Sequence, residues 1–286
     1  MQQKVNNFKC LCGNENYQVK AYGFQMRFSC YGHNKNVVEC NKCGLIQLFP
    51  LWTPEELNDL YLKYSEKRDF AGQKKFKHID NYLKKYIGKK DVVLEIGCGK
   101  GDNVRWLRND CYNIIGVDRD PTVQEKDVIF TCEFEDYDIC KKFDFIYAIH
   151  VLEHIDNPVR FINKIIDKLN YKGRLLLELP NIEDPLYTIY KNKKYSEYMW
   201  YPYHIYNYSF KTVSDLFRRL DRLDMKDVRI IRKQRYGILN HMRWLIKGKP
   251  GNINFHIPIV DDIYKFILVN IFKVSDTLIV TAQRNN

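Results

Sequence analysis

The stretch Val92-Val93-Leu94-Glu95-Ile96-Gly97-Cys98-Gly99-Lys100-Gly101 decides the fold. A run of strand formers enters a glycine-rich turn. A helix is expected from about Asp102 to Arg108. Glycine lacks Cβ, so the turn can be tight and a ligand can approach the backbone. A second strand, Tyr112 to Val117, ends in Asp118. That acid follows Gly97 by about 20 residues, the spacing of a side chain that holds ribose hydroxyls. The glycine pattern is G-x-G-x-G, without the final G-x-x-G of dinucleotide sites. An acid, Glu95, also interrupts the apolar strand.

The alternation continues downstream. Val128–Thr131 reads as a short strand and Phe143–Ile149 as a buried one. Pro158 to Leu169 carries Val159, Ile162, Ile165, Ile166 and Leu169 at helical spacing. Gly173 to Pro180 is the next strand, with Gly173 as the expected helix C-cap. Asp276 to Ala282 is the last. Such alternation predicts an α/β, Rossmann-like parallel sheet with helices on both faces. Ligands of these sheets sit at the carboxyl ends of the strands. Gly97, Asp118, Glu133 and His150 fall at such ends.

The segments VLEIGCGKG, IGVD and FDFIYAIHVLEHIDNP occur in that order. They resemble the class I S-adenosylmethionine-dependent methyltransferases, over roughly residues 70–286. The resemblance implies S-adenosylmethionine as cofactor. It implies that Glu95 and the loop of Gly97, Cys98, Gly99 and Gly101 hold the methionine part, and that Asp118 binds the ribose. Glu133, with Phe134 beside it, falls near the adenine position, and Asp136 lies close as an alternative. Arg119 and His150 join the cofactor group. The sulfonium is cationic, so a carboxylate such as Glu95 suits the ammonium end.

His150, Glu153 and His154 follow the Phe143–Ile149 strand. One helical turn would place both histidines on one face. Three readings stay open: a metal site, packing or cofactor positioning by His154, and proton transfer by His154. The segment from Tyr195 to Phe210, YSEYMWYPYHIYNYSF, is rich in aromatics, whose faces suit sugar rings and bases. His204 resembles the histidine of an H-x-x-Y-F-S-like motif in methyltransferases of nucleotide-linked deoxysugars. That resemblance implies His204 as general base, supported by Tyr201 and Tyr203. An imidazole titrating near neutrality suits the task. The alternative is an aromatic lid around a core histidine. Asn240, His241 and Trp244 are further site candidates, set against a plain helix with a basic outer face.

Upstream, Cys10 and Cys12, then Cys40 and Cys43, form two thiol pairs, each followed by a glycine. Two such pairs around strand-forming residues predict a zinc-ribbon-like module holding structural Zn2+. The C-x-C spacing of the first pair leaves room for Cys30 or His33 as a substitute ligand, and for four unbound thiols. Thr53-Pro54-Glu55-Glu56 reads as a helix start. A second amphipathic helix is expected from Lys74 to Tyr86. The expected organisation is a zinc-ribbon-like module over 1–50, a helical connection over 51–90 and the methyltransferase domain over 91–286. An aromatic insertion occupies about 186–210.

The 286 residues carry a formal net charge of +11, and 45% are hydrophobic, a globular balance. No stretch approaches the length of a membrane span, and no signal peptide opens the chain. A cytoplasmic protein is expected. Positive charge gathers at Lys74–Lys90, Lys191–Lys194 and Lys226–Lys249. It suits nucleic acid, an anionic small substrate, an acidic membrane surface, or no partner at all.

Zinc-binding N-termini before such cores resemble those of sugar and surface-polysaccharide methyltransferases. The resemblance implies a small-molecule or glycan acceptor, and methylation on oxygen is the expected reaction. Three alternatives accompany it: C- or N-methylation of a nucleotide-linked deoxysugar, RNA methylation, and a non-catalytic cofactor-binding scaffold. Nucleic acid is the less expected partner, because AIHVLEH stands where a base N-methyltransferase carries its proline tetrapeptide.

Overall fold

The computed structural model describes residues 8–22, 35–53, 55–57, 59, 83–110, 112–137, 140–200, 204–220, 225–249 and 257–285. Tyr201, Tyr203, Cys30 and His33 lie outside them, as does most of both helices expected between Thr53 and Tyr86.

Two compact units form, and both are discontinuous in sequence. The first comprises Met1–Thr53, Leu179–Phe217 and Ile230–Ile279. The second comprises Pro54–Glu178, Arg218–Arg229 and Val280–Asn286. Residues 1–50 therefore share a unit with the aromatic insertion.

In the first unit, β1 (Tyr17–Ala21), β2 (Asn36–Cys40) and β3 (Ile46–Phe49) form an antiparallel sheet. A two-residue strand from the insertion, Tyr206–Asn207 (β9 in chain order), extends it beyond β3. Val37, Ile46 and Leu48 turn inward and cluster with Ile182 and Trp200. Burying each such side chain is worth about 1.5–3 kcal/mol. The N-terminal strands thus share one core with the chain that follows Glu178.

The second sheet supports the cofactor-type loop. Its strands are β4 (Val92–Ile96), β5 (Asn113–Asp118), β6 (Ile129–Thr131), β7 (Phe143–Ile149), β8 (Leu169–Pro180), β10 (Met225–Lys233) and β11 (Thr277–Arg284). Their order is β10-β11-β8-β7-β4-β5-β6. The pairs from β6 through β5, β4 and β7 to β8 are parallel. This is the expected Rossmann-like architecture.

The described helices are α1 (Asp102–Asn109), α2 (Pro158–Lys168), α3 (Pro185–Thr188), α4 (Lys193–Met199), α5 (Phe210–Arg218), α6 (Ile238–Lys247) and α7 (Val260–Phe266). A π-helical turn, Ile267–Ile271, continues α7. α2 starts where the sequence dictates. The Asn157 side chain accepts from the Arg160 N–H, Pro158 fills the first turn, and Phe161, Ile162, Ile165 and Ile166 are buried.

One expectation needs correcting. Gly173 does not cap α2, because β8 already begins at Leu169. The pairing shifts between Phe143↔Leu169 and Phe145↔Arg174. A Cβ on Gly173 would lie 2.8 Å from the Asn170 carbonyl oxygen and 3.0 Å from that of Phe143. Close backbone approach at this irregularity requires the glycine.

Candidate active site

The loop after β4 is shaped by its glycines. Gly97 has φ +70°, a conformation that strains any residue with a Cβ. A Cβ there would also lie 2.4 Å from Val151 Cγ2. The Gly97 N–H reaches back to the Val117 carbonyl at 2.8 Å, which ties the loop to β5. Gly101 caps α1. The Cys98 side chain is buried and turned onto β5. A Cβ on Gly116 would stand 2.6 Å from its sulfur. Gly116 is thus a packing requirement of the loop that the sequence reading did not single out.

Glu95 and Asp118 stand at the ends of neighbouring strands. Asp118 is buried and accepts from the Gly99 N–H at 2.6 Å and the Asp120 N–H at 2.9 Å. Glu95 Oε1 accepts from the Asn103 amide of α1 at 3.0 Å. The buried Tyr147 hydroxyl of β7 also stands against this carboxyl and favours its charged form. Burial pushes the Glu95 carboxyl up to about 7, and the charges of Asp118 and Asp102 add to the effect. A buried carboxyl beside a glycine-rich loop has the right chemistry for a cationic amine. These residues fit the methionine end of S-adenosylmethionine.

Around them, Arg119 and Glu133 form an ion pair at 3.1 Å. Phe134, expected beside the adenine, is buried and edge-on to Phe161 of α2 at 5.5 Å between ring centroids.

At the end of β7, His150 takes φ +55°, an uncommon backbone for a residue with a side chain. Its N–H donates to the Glu178 carbonyl at 2.8 Å. The following 3-10 turn, Leu152–His154, brings both histidines to one acid. Glu153 Oε1 lies 3.3 Å from His150 Nδ1 and 3.9 Å from His154 Nε2. Glu153 is fully buried, whereas the His150 side chain is 36% exposed. Sequence reasoning treated Glu153 as one third of an optional metal triad. In the structure it is a buried acid with both imidazoles within 4 Å of its Oε1. Glu178, at the end of β8, is another buried acid that the sequence reading passed over. The signal was present: it interrupts the run LLLELP as Glu95 interrupts VVLEI.

His204 is half-buried just before β9 and belongs to the first unit. The aromatic insertion around it is mostly interior. Trp200, Tyr206 and Tyr208 are buried. Tyr195 and Tyr198 meet Trp244 edge-on, each at 5.0 Å. The Tyr195 hydroxyl donates to Asp184 at 2.6 Å, and burial pushes that carboxyl up to about 7. Asn240 is half-buried. His241 is buried, with Nδ1 2.5 Å from the Tyr264 hydroxyl, and burial pushes its imidazole down to about 4. His241 and Trp244, two of the site candidates, are buried, whereas Tyr195 and Tyr198 of the insertion are half-buried.

The four cysteines of the first unit converge. Their sulfurs all lie within 4.8 Å of one another, with Cys10–Cys43 at 3.5 Å and Cys12–Cys40 at 3.6 Å. The Gly13 and Gly44 N–H groups close the two knuckles onto the Cys10 and Cys40 carbonyls. Burial works to raise the Cys40 thiol. The backbone N–H groups of Cys43 and Lys42 and the Asn14 amide outweigh it, bringing the thiol down to about 6. Tetrahedral zinc with Zn–S near 2.3 Å requires sulfurs about 3.8 Å apart. The cluster is close to that shape.

Fold and loop together define an S-adenosylmethionine-dependent methyltransferase. The chain belongs to the Methyltransferase domain family, which it matches over residues 57–229. Among curated proteins it is similar to the tRNA U34 carboxymethyltransferase of Aliarcobacter butzleri. The two are 29% identical over 136 residues, 41% of this chain and 43% of that protein. The chain spans about half the length of the curated relatives it matches. Among solved structures it resembles a SAM-dependent methyltransferase from Archaeoglobus fulgidus, with TM-score 0.53 and 20% identity, covering 78% of this chain and 99% of that one. It also resembles the 1,6-didemethyltoxoflavin-N1-methyltransferase of Burkholderia thailandensis, solved with S-adenosylhomocysteine. There the TM-score is 0.51 and the identity 14%, covering 88% of this chain and 96% of that one. These likenesses concern the fold. Among the described residues, no helix is long and apolar enough to cross a membrane.

Proposed function

We propose that the enzyme methylates a hydroxyl of a sugar, nucleotide-sugar or glycan. The observation that carries this reading is the carboxylate–imidazole arrangement after β7, where His150 and His154 flank the buried Glu153. A hydroxyl acceptor must lose its proton as it is methylated, whereas a neutral amine need not. An imidazole oriented by a carboxylate is the usual device for taking that proton. When bound, S-adenosylmethionine supplies an electrophilic methyl group. The chain's own work is to bind, orient and remove a proton. Glu95 holds the ammonium, Asp118 the ribose, and the glycine loop lets both approach. His154 or His204 accepts the acceptor's proton. Positioning supplies most of the remaining rate.

A second reading, transfer to RNA, is favoured by the tRNA-acting curated relatives and by the positive charge. One experiment separates the two. The protein is incubated with methyl-labelled cofactor and nucleotide-sugar, glycan and RNA fractions. Label in the sugar-bearing fractions is expected, and label mainly in RNA would replace the first reading by the second. His154→Ala and His204→Ala are then compared, and the base is the residue whose loss lowers kcat about 100-fold or more.

We also propose that Cys10, Cys12, Cys40 and Cys43 hold one structural Zn2+. Four protein ligands leave no open position, so no catalytic step is assigned to it. Metal analysis should return about one zinc per chain. Less than half an equivalent would refute the site.

A further inference from the structure

We infer that α6, α7 and the π-helical turn form a docking surface for an anionic lipid bilayer, on which the protein rests without crossing it. Ile263 and Phe266 lie at i and i+3 on α7 and are 56% and 61% exposed, and Ile259, which precedes the helix with φ +40°, is 73% exposed. Ile271 and Phe272 carry the exposed row past the π-helical turn. The opposite side of the same helix is occupied, since Asp261 and Leu268 are buried. α6 behaves alike. His241 and Trp244 turn inward, while Leu245 and Ile246 face solvent. The two helices are fastened together. The Ile238 N–H donates to Asp261 at 2.9 Å, and His241 meets Tyr264. This much exposed aliphatic and aromatic surface on two joined helices marks an interaction site.

Charge selects the occupant. Lys247 and Lys249 follow the α6 row, and Lys265 and Lys273 flank the α7 row. A Cβ on Gly248 would lie 2.1 Å from Lys194 Cδ, so the Lys193–Lys194 pair adjoins the end of α6. Exposed acids among the described residues of α4, α6, α7 and the π-helical turn are Glu197 and Asp262. An apolar stripe with a lysine rim is the pattern of a helix lying in a bilayer interface. Each lysine near an anionic surface raises binding about fivefold. Two copies joined by this face would oppose lysine to lysine, which disfavours a second copy. The inference is independent of which acceptor the enzyme methylates.

Vesicle co-sedimentation tests it with the full-length protein. One set of vesicles is phosphatidylcholine alone, and the other contains about one third phosphatidylglycerol. Binding to the anionic vesicles is expected, weakening as salt rises, with little binding to the neutral ones. The double variant Ile263→Ser, Phe266→Ser should lose at least tenfold in vesicle affinity while its S-adenosylmethionine affinity stays unchanged. Lys247→Glu with Lys249→Glu should lose vesicle affinity and flatten the salt dependence. Absence of binding to anionic vesicles would overturn the inference, as would variants that bind like the parent. So would a dimer of the parent chain that Phe266→Ser converts to a monomer, since the face would then belong to a second copy.

Discussion

Glu95 occupies a strand that is otherwise apolar, and its burial makes it the most informative residue of the site. Its carboxyl is held near pH 7 in the folded chain, above the ordinary carboxylate value. A raised folded-state value means that its contribution to stability is present at low pH and is lost as pH rises toward 7. Glu95→Gln removes that titration. The variant's stability advantage over the parent should therefore widen from pH 5 to pH 7.5, by roughly 2–3 kcal/mol. Denaturant melts at several pH values measure this, and a pH-independent difference would refute it. Cofactor binding should show the reverse cost. A cationic amine needs the ionised carboxylate, so affinity for S-adenosylmethionine should rise from pH 6 to pH 8 in the parent. In Glu95→Gln it should be at least tenfold weaker and flat with pH. Gly97→Ala adds a second residue-scale expectation. Its left-handed backbone and the Val151 contact should cost about 1–2 kcal/mol and weaken cofactor binding. Glu95, Asp118 and the glycines were legible because each breaks a local pattern. The burial of Phe134 and His241 was not legible, because it depends on long-range packing.

At the scale of elements, the strands β4 to β8 and the starts of α1 and α2 were readable from alternation and caps, which depend on neighbours in sequence, whereas the strand order β10-β11-β8-β7-β4-β5-β6 was not. The irregularity that demands Gly173 depends on the β7 backbone about 30 residues earlier, and no local pattern announces it. The thiol knuckles are an intermediate case. Their residues are evident in sequence, whereas their convergence is a property of the β1–β2–β3 sheet. Cys40 ends β2 and is closed by Gly44, so it joins the knuckle to the sheet. Cys40→Ser should cost several kcal/mol if zinc is bound, because metal binding is coupled to folding. A chelator should lower the melting temperature of the parent and leave that of Cys40→Ser unchanged. Equal sensitivity of the two proteins would argue for a metal elsewhere.

The whole molecule is where chain order misleads most. The segment 1–50 looks like a detachable module, yet Val37, Ile46 and Leu48 share a core with Ile182 and Trp200. β3 also pairs with Tyr206–Asn207 of the insertion. Deleting 1–50 would strip one side of that core and leave an unpaired strand edge, which is an aggregation hazard. Losing three buried partners, at about 1.5–3 kcal/mol each, consumes most of the 5–15 kcal/mol that stabilises a typical domain. The truncated chain should therefore be insoluble or melt without a cooperative transition. Supplying zinc should not rescue it, since the ligands leave with the segment. If residues 51–286 instead remain monomeric and bind S-adenosylmethionine with the parent's affinity, the N-terminal sheet is an appendage and the shared core contributes little. Three point substitutions in the intact chain separate these cases. Val37→Ala, Ile46→Ala and Leu48→Ala should each lower stability by about 2–4 kcal/mol if the core is shared, and by much less if the sheet is an appendage.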